Sequence, residues 1–518
     1  MSQESGVGGF FLPAIYKKNQ AEVESALLRG AIDYADFTGW TFADEFLCFT
    51  LQTKLLSFID QTYPNPREKN EVPIWYLVTC QFLLRLLGTG KYQQLKFLLN
   101  SGSILTKFGF NVATTTIGFN HKNKKPRSTV VDSDTVRKFF KDTDPNEIRN
   151  WYNSRLQSWF RTQKSFDAKG LFVLDQSHIV APDNPNYEDA VRMPVDEHGQ
   201  LYKNLSELTV EQKKALIYHP CYTISTLLHV GISKDIFHIA GYEFGPGNED
   251  ELVQADRLIA TTCQRYPGLI KELIMDRGYI CGEFIEKSKK DYDVDSLLPL
   301  KTNMDTYKDA VSIAARENKW TTLELSRDDE GKLLKQIDVA EVRDLDLWIK
   351  CNVKQYAAVA KVTTWNSDEK IYEERFWVLG STKNYIDPGV AVARYRLRMQ
   401  TEERYRQFKY GWHIKDFPSP NKSLMESHVC FTLFTYSLYQ LYLRRHDLRG
   451  QTNKMIQTFK SKEQLGQMAV MAFAGHDYGI FDLDKFIGTV AGLEDDPRAK
   501  IKVTMDQQAE ERIKRNTN

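Results

Sequence analysis

The strongest constraint on the fold is a pair of short, mostly apolar runs that each lead into an aspartate. Residues 170–174 read GLFVL before Asp175, and residues 269–275 read LIKELIM before Asp276. A continuous apolar run of this length is typical of a central strand covered on both faces, and such strands occur mainly in α/β proteins. The sequence therefore predicts an α/β domain with an aspartate at the end of each of two buried strands.

The segments around these runs complete the pattern. Two β-rich runs in residues 221–244 break around Gly231, which predicts a hairpin. A helix capped by Asn248 is expected next, before the run that leads into Asp276. Residues 304–389 alternate short strands with turn residues and predict a β-rich insertion, whereas the chain before residue 115 and after Pro388 has the pattern of helices.

Composition excludes several classes of protein. Apolar residues make up 42% of the chain and charged residues 26%, a globular balance that excludes a disordered or fibrous protein. The 69 Lys and Arg residues against 68 Asp and Glu give a net charge of +1, which indicates no partner by itself. Seven cysteines without a CxxC spacing predict reduced thiols rather than a metal or redox centre.

No targeting or membrane segment is expected. The first residues lack a basic stretch followed by an apolar one, and the longest apolar run, 429–443, contains polar residues and is shorter than the roughly 20 residues that span a bilayer. These features predict a soluble cytoplasmic protein without membrane contact.

The two aspartates favour hard divalent cations. Carboxylates held on neighbouring strands suit Mg²⁺, which takes carboxylate, water and phosphate oxygens, and paired ions of this kind support phosphoryl transfer. An aspartate at the end of a strand is also a common turn former or helix cap. Both interpretations of Asp175 and Asp276 stay open on this evidence alone.

Residues 394–412 add a helix with a distinctive polar face. Four side chains at offsets of 0, 3, 7 and 14 share a stripe roughly 60° wide if the helix is continuous; they are Tyr395, Arg398, Glu402 and Lys409. The neighbouring Glu403 lies about 100° away and faces elsewhere. Arginines on the other faces indicate an anionic ligand, although a surface helix with ion pairs such as Glu402 with Arg406 is the alternative.

Taken in order, these motifs resemble the DDE transposases of bacterial insertion sequences. The order is an aspartate, then Asp-Arg-Gly-Tyr, then Tyr-x2-Arg-x3-Glu-x6-Lys, and the last motif is characteristic of the fourth insertion-sequence family. The residues are Asp175, Asp276 to Tyr279, Tyr395, Arg398, Glu402 and Lys409. The resemblance covers about residues 165–445 and implies a ribonuclease-H-like catalytic core interrupted by a β-rich insertion.

The resemblance also implies a chemistry. Asp175, Asp276 and Glu402 would be the catalytic residues and would hold two Mg²⁺ ions, or Mn²⁺ as a substitute. Positively charged and aromatic side chains would contact DNA; these are Tyr395, Arg398, Lys409, Arg277 and Lys301. Expected partners are double-stranded DNA, both the terminal inverted repeats of a transposon and its target, and a second subunit in a synaptic homodimer. In a bacterium the protein would be cytoplasmic and associated with the nucleoid when bound to DNA.

The predicted organisation has five segments. They are a helical N-terminal DNA-binding domain (1–130), the first part of the catalytic core (131–303), the insertion (304–389), core helices carrying the glutamate (390–450) and a helical C-terminal region with dimerisation as a candidate role (451–518). The DNA-binding role of the first segment rests on analogy. Its basic run, His121 to Arg127, predicts either a solvated loop or an arm that contacts phosphate.

Two other functions stay open. A catalytically silent relative would keep DNA binding alone, and a ribonuclease-H-like nuclease would cut without joining strands. The three intact acids argue against the first, and they do not discriminate against the second.

Overall fold

The computed structural model describes most of the chain. The described residues are 15–38, 41–70, 72–88, 91–95, 131–196, 198–202, 208–214, 216–233, 236–346, 348, 350–385, 387–448 and 468–517. The basic run at 121–127 lies outside them. The chain divides into a terminal unit, formed from residues 1–159, 184–188 and 407–518, and a central unit, formed from residues 160–183 and 189–406.

The N-terminal part of the terminal unit is mainly helical. Its elements are β1 (Lys17–Lys18), α1 (Gln20–Leu28), β2 (Tyr34–Thr38), α2 (Thr41–Gln52), α3 (Leu55–Thr62), α4 (Ile74–Leu87), α5 (Ser133–Asp142) and α6 (Pro145–Asn150), followed by a π-helical stretch (Trp151–Leu156) and α7 (Gln157–Thr162). Helix α4 ends where Gly88 adopts a left-handed conformation (φ +67°), which a glycine does without steric cost. Asp132 and Asp144 cap α5 and α6 by accepting hydrogen bonds from main-chain amides.

The central unit contains the strands predicted around the two aspartates. In chain order its elements are β3 (Leu171–Val180), β4 (Val191–Val195), α8 (Val210–Lys214), β5 (Ile217–Ser233), β6 (Ile236–Pro246), α9 (Glu251–Arg265), β7 (Glu272–Ile274), α10 (Gly282–Tyr292), β8 (Asp295–Pro299), α11 (Asp305–Glu317), β9 (Thr321–Arg327), β10 (Leu333–Leu345), β11 (Gln355–Asn366), β12 (Ile371–Ser381) and α12 (Pro388–Arg396). Helix α13 (Met399–Tyr410) crosses the boundary between the two units, as α7 does between Trp159 and Phe160.

Ten described strands of the central unit form one mixed sheet. Its order is β5-β3-β7-β8-β12-β11-β10-β9, with β4 and β6 both paired to β5. Strand β3 pairs antiparallel with β5 and parallel with β7, and β7 pairs parallel with β8. Because β12 pairs antiparallel with β8, the strands of the insertion continue the same sheet. The α/β prediction and the predicted hairpin, formed by β5 and β6, are confirmed.

Helices cover the sheet and create two cores. Phe172, Leu273 and Leu298 on the strands pack with Leu258 of α9 and Ile285 of α10, and all five are fully buried. A second cluster packs α11 against the insertion strands. Helix α9 begins at Glu251 with Asp250 as its cap, so the predicted cap at Asn248 was wrong by two residues.

The chain after α13 returns to the terminal unit. It forms α14 (Lys422–Arg445), β13 (Ala469–Ala474), β14 (Asp477–Asp482), α15 (Leu483–Ala491) and α16 (Asp495–Thr517). Four described strands form a small sheet of order β1-β14-β13-β2. The terminal segments, which were predicted to be helical, also contain these strands. Strands β13 and β14 pair with each other, and β1 and β2 pair with them from the other end of the chain. The five predicted segment boundaries stay a prediction. Among the described residues, no helix is long and apolar enough to cross a membrane.

Candidate active site

Asp175 lies in the middle of β3, at the point where its first buried run ends. The prediction that Asp175 ends its strand was wrong, because pairing with β5 continues to Val180. Residues 171–174 before it are buried, whereas the Asp175 side chain is 15% exposed. Its Oδ1 accepts a hydrogen bond from the Gln176 amide at 2.9 Å. Burial raises the pKa of Asp175 to about 7, against the opposing effect of the Arg398 guanidinium. The carboxylate is thus held on a rigid strand in a partly desolvated environment.

Asp276 follows the neighbouring strand. Since β3 and β7 are adjacent and parallel, their carboxyl ends lie at the same edge of the sheet. Asp276 comes two residues after β7, caps a short 3₁₀ helix (Arg277–Tyr279) by accepting the Arg277 amide at 2.7 Å, and is 44% exposed. The topology therefore brings the two predicted aspartates together although 101 positions separate them.

The third acid comes from a segment that is not one continuous helix. The sequence predicted a single helix over 394–412, but α12 ends at Arg396 and α13 begins at Met399. At the break, the Arg398 amide bonds to the Tyr395 carbonyl at 2.9 Å, a tighter turn than an α-helix makes. Tyr395 thus lies at the end of α12, Arg398 in the break, and Glu402 in the first turn of α13.

One guanidinium joins the three acids. Arg398 Nη1 lies 3.6 Å from Asp175 Oδ2 and 3.7 Å from Asp276 Oδ2, while Nη2 lies 2.5 Å from Glu402 Oε1. Arg398 is 18% exposed and Glu402 is 56% exposed. Three carboxylates from three separate parts of the sequence therefore surround a single cation, which offsets their mutual repulsion.

The other predicted residues lie at varied positions. The Tyr395 ring packs edge-on against Trp377, with 5.4 Å between the ring centroids. Burial raises the pKa of Tyr395, and the nearby Arg398 guanidinium opposes that rise. Arg277 directly follows Asp276, and the exposed Lys301 comes just after β8. Lys409 lies in the last turn of α13, within the terminal unit. Their roles in binding DNA stay predictions.

Glu403, the acid beside Glu402, has a partner of its own. Its carboxylate accepts two hydrogen bonds from Arg406, both at 2.7 Å. The ion pair expected as the alternative for Glu402 with Arg406 is therefore made by Glu403 instead. Glu402 is left to Arg398, as the helical angle between the two glutamates predicted.

Sequence reasoning missed three residues next to these acids. Tyr405 donates a hydrogen bond to the main-chain carbonyl of Asp175, and Glu272 is a buried acid on β7. Glu251 lies so close to Gly278 that a Cβ on that glycine would collide with its carboxylate, which explains the glycine of Asp-Arg-Gly-Tyr. The sequence contained a signal for Glu272, because it is the one acid in the apolar run 269–275. It contained no comparable signal for Tyr405.

The donor set is suitable for a hard cation. Across the described ranges, no three His, Cys, Asp or Glu side chains are arranged as a ready metal site. At these three acids, the Arg398 guanidinium lies between the carboxylates. Their chemistry nevertheless fits: all three are carboxylates, the ligands that Mg²⁺ and Mn²⁺ prefer. An ion of this kind would have to replace Arg398 as their counter-charge.

Taken together, the central unit is an α/β domain in which two aspartates from neighbouring parallel strands meet an arginine from the break between α12 and α13 and a glutamate from the first turn of α13. A family model described as "Transposase DDE domain" matches residues 168–438, just over half of the chain and a range that includes all four side chains. The chain belongs to this family of DDE-domain transposases. No curated protein matches it significantly.

Proposed function

We propose that this protein is a DNA transposase of the fourth insertion-sequence family. It cleaves transposon ends and joins the freed 3′ hydroxyl to target DNA by phosphoryl transfer with two Mg²⁺ ions, for which Mn²⁺ can substitute. The observation that carries the proposal is the convergence of Asp175, Asp276 and Glu402 on one guanidinium, inside the residues that match the transposase family.

The order of the strands favours a ribonuclease-H-like core. Three antiparallel strands, β6, β5 and β3, are followed by β7 and β8 running parallel to β3. In this arrangement Asp175 is on the central strand and Asp276 follows its parallel neighbour. Glu402 comes from a helix after the insertion, so each acid has its own rigid support.

The three acids would hold the divalent ions. Bound there, the ions would supply the positive charge that lowers the pKa of an attacking water or 3′ hydroxyl and stabilises the departing oxygen. Asp175 and Asp276 approach from the sheet, and Glu402 approaches from α13.

Arg398 would exchange its partners when DNA binds. Its planar guanidinium can contact a phosphate with two donors, so it can leave the carboxylates for the backbone beside the scissile bond. Tyr395, three residues before Arg398, would contact the same phosphate backbone. Lys409, Arg277 and Lys301 would add contacts to the backbone, and two subunits would hold the two transposon ends.

A strand-transfer assay tests the proposal. The substrate is DNA taken from the regions that flank the coding frame, labelled at the 5′ end of the strand whose 3′ hydroxyl cleavage would release, with supercoiled plasmid as target and Mg²⁺ or Mn²⁺ present. We expect cleavage at the ends followed by label joined to the plasmid. Cleavage without joining would instead support the ribonuclease-H-like nuclease, and DNA binding without cleavage would support the silent relative.

A further inference from the structure

A buried acid, Glu272, lies four residues before Asp276 in the chain. Glu272 opens β7, is 1% exposed, and accepts hydrogen bonds from three side chains of the segment that follows β12. Lys383 Nζ donates to its Oε2 at 2.9 Å, Arg394 Nη1 donates to the same oxygen, and the Tyr385 hydroxyl donates to Oε1. A buried carboxylate needs partners of this kind, and these three fully engage it.

The contact of Glu272 with Arg394 resembles the contact of Asp276 with Arg398 at the candidate site. Glu272 and Asp276 are four residues apart on the strand side, and Arg394 and Arg398 are four residues apart on the helix side. Each acid contacts the corresponding arginine. The two pairs attach the segment that contains Arg394 and Arg398 to the chain at Glu272 and Asp276. The position of Arg398 at Asp276 therefore depends on the buried pair as well.

A second anchor lies on the other side of Glu402. The buried Tyr405 hydroxyl donates to the Asp175 carbonyl at 2.6 Å and lies 2.9 Å from the Thr226 hydroxyl. Since β3 and β5 are paired at Asp175 and Thr226, this contact joins α13 to the strand that carries the first acid. Tyr405 is one helical turn after Glu402, so it fixes the turn from which Glu402 projects.

We propose that Glu272 and Tyr405 are positioning residues that set the place of Glu402 relative to the two aspartates. The segment from Arg394 to Tyr405 carries Arg398 and Glu402 between its two attachment points, one to the strand before Asp276 and one to the strand of Asp175. This inference rests on the proposed metal-dependent function and names what gives the three acids their geometry. Neither residue touches the reacting atoms.

The test measures Mn²⁺ affinity and DNA cleavage in the full-length chain. Tyr405→Phe removes one hydroxyl and no charge, and Thr226→Val removes its partner. Glu272→Gln and Arg394→Gln weaken the other anchor, and Arg394→Lys keeps its charge. Matched controls are Tyr372→Phe and Glu341→Gln, which change residues on insertion strands β12 and β10.

We expect Tyr405→Phe and Arg394→Gln each to weaken Mn²⁺ binding about 10-fold, as loss of a group that orients a ligand does. The kcat for cleavage should fall about 10-fold or more while KM for DNA changes little, and Arg394→Lys should recover part of both losses. A purely structural role would lower the amount of folded protein, as seen by circular dichroism, without changing the Mn²⁺ affinity of the folded remainder. Should Glu272→Gln fail to fold, Tyr405→Phe still tests the inference.

Two negative results are distinguishable. If Asp175→Asn binds Mn²⁺ as tightly as wild type does, the proposed function is overturned, and the positioning role with it. Wild-type protein that does bind Mn²⁺ through Asp175, together with Tyr405→Phe and Arg394→Gln that bind and cleave like the controls, would overturn the positioning role alone.

Discussion

At the scale of single residues, Arg398 determines how the three acids coexist. Its guanidinium lies within 3.7 Å of Asp175 and Asp276 and contacts Glu402. A divalent ion needs the same carboxylates, and a DNA phosphate attracts the same guanidinium. Binding of DNA should therefore release the acids for the ions, so that the two ligands assist each other.

Arg398→Gln tests this exchange. Without DNA, the variant should bind Mn²⁺ at least about 10-fold more tightly than wild type, because a competing cation has been removed. Its DNA affinity should fall and the salt dependence of binding should decrease by about one counterion. Arg406→Gln is the control, since Arg406 pairs with Glu403 on the same helix. Unchanged Mn²⁺ affinity in Arg398→Gln, measured by calorimetry, would contradict the exchange.

Residues near the site differ in how far the sequence could predict them. Helical angle alone separates Glu402 from Glu403, and the contacts of Arg398 and Arg406 agree with that separation. Tyr405 and Glu272 were missed because their partners lie 230 and 122 positions away, and only the folded chain brings them together. The spacing of a motif predicts which side chains share a face of one helix, whereas contacts between distant elements become apparent only in the folded chain.

At the scale of elements, α14 shows how a polar group is kept inside a hydrophobic helix. His428 lies on this buried helix with Nε2 3.0 Å from the His413 carbonyl. A carbonyl can only accept, so Nε2 carries the hydrogen, and Nδ1 accepts from the adjacent Arg85 guanidinium. Burial, reinforced by Arg85, lowers the pKa of His428 well below its ordinary value.

This histidine predicts acid sensitivity of the terminal unit. The folded pKa is depressed, so the unfolded chain takes up a proton below about pH 6.5 that the folded chain refuses. The free energy of unfolding should therefore fall by about 1.4 kcal/mol between pH 7.5 and 5.5 from this group. Urea titrations at both pH values should show the loss in wild type and in the exposed control His476→Gln. His428→Gln should lack it, and an equal loss in His428→Gln would contradict the assignment.

The break between α12 and α13 marks the limit of pattern-based prediction. Residues 394–405 contain no proline or glycine, so nothing in the sequence interrupts the helical pattern. The segment is instead attached at Arg394 and at Tyr405, and the chain between them turns tightly at Arg398. The predicted polar stripe required one continuous helix over residues 394–412, and tertiary contacts override that local preference.

At the scale of the whole molecule, the two ends of the chain share one sheet. Strand β2 pairs with β13 and β1 pairs with β14. Val23 and Leu27 of α1 pack with Val470, Phe481 and Ile501 from the C-terminal region. The sequence predicted the α/β class of the central unit from local apolar runs, but β1 and β2, whose partners lie more than 400 positions away, gave no comparable signal.

Truncation tests this arrangement. A chain that ends at residue 448 lacks β13, β14, α15 and α16. Strand β2 then loses the strand with which it pairs, and α1 loses the C-terminal residues against which it packs. Amide hydrogen exchange over residues 20–38 should accelerate by about 100-fold or more, because unpaired strands of this length do not persist alone. A chain that ends at residue 510 retains Ile501 and serves as the control. Unchanged protection in the shorter chain would contradict the shared sheet.

The most direct measurement compares two adjacent glutamates in Mg²⁺-dependent cleavage of the DNA that flanks the coding frame. Glu402 faces Arg398 and the two aspartates, and Glu403 faces Arg406. We predict that Glu402→Gln lowers cleavage by at least about 100-fold with DNA affinity nearly intact, because a ligand to the metal matters at least as much as the groups that orient it. Glu403→Gln should cleave like wild type. Cleavage retained in Glu402→Gln, or lost equally in both variants, would contradict the account.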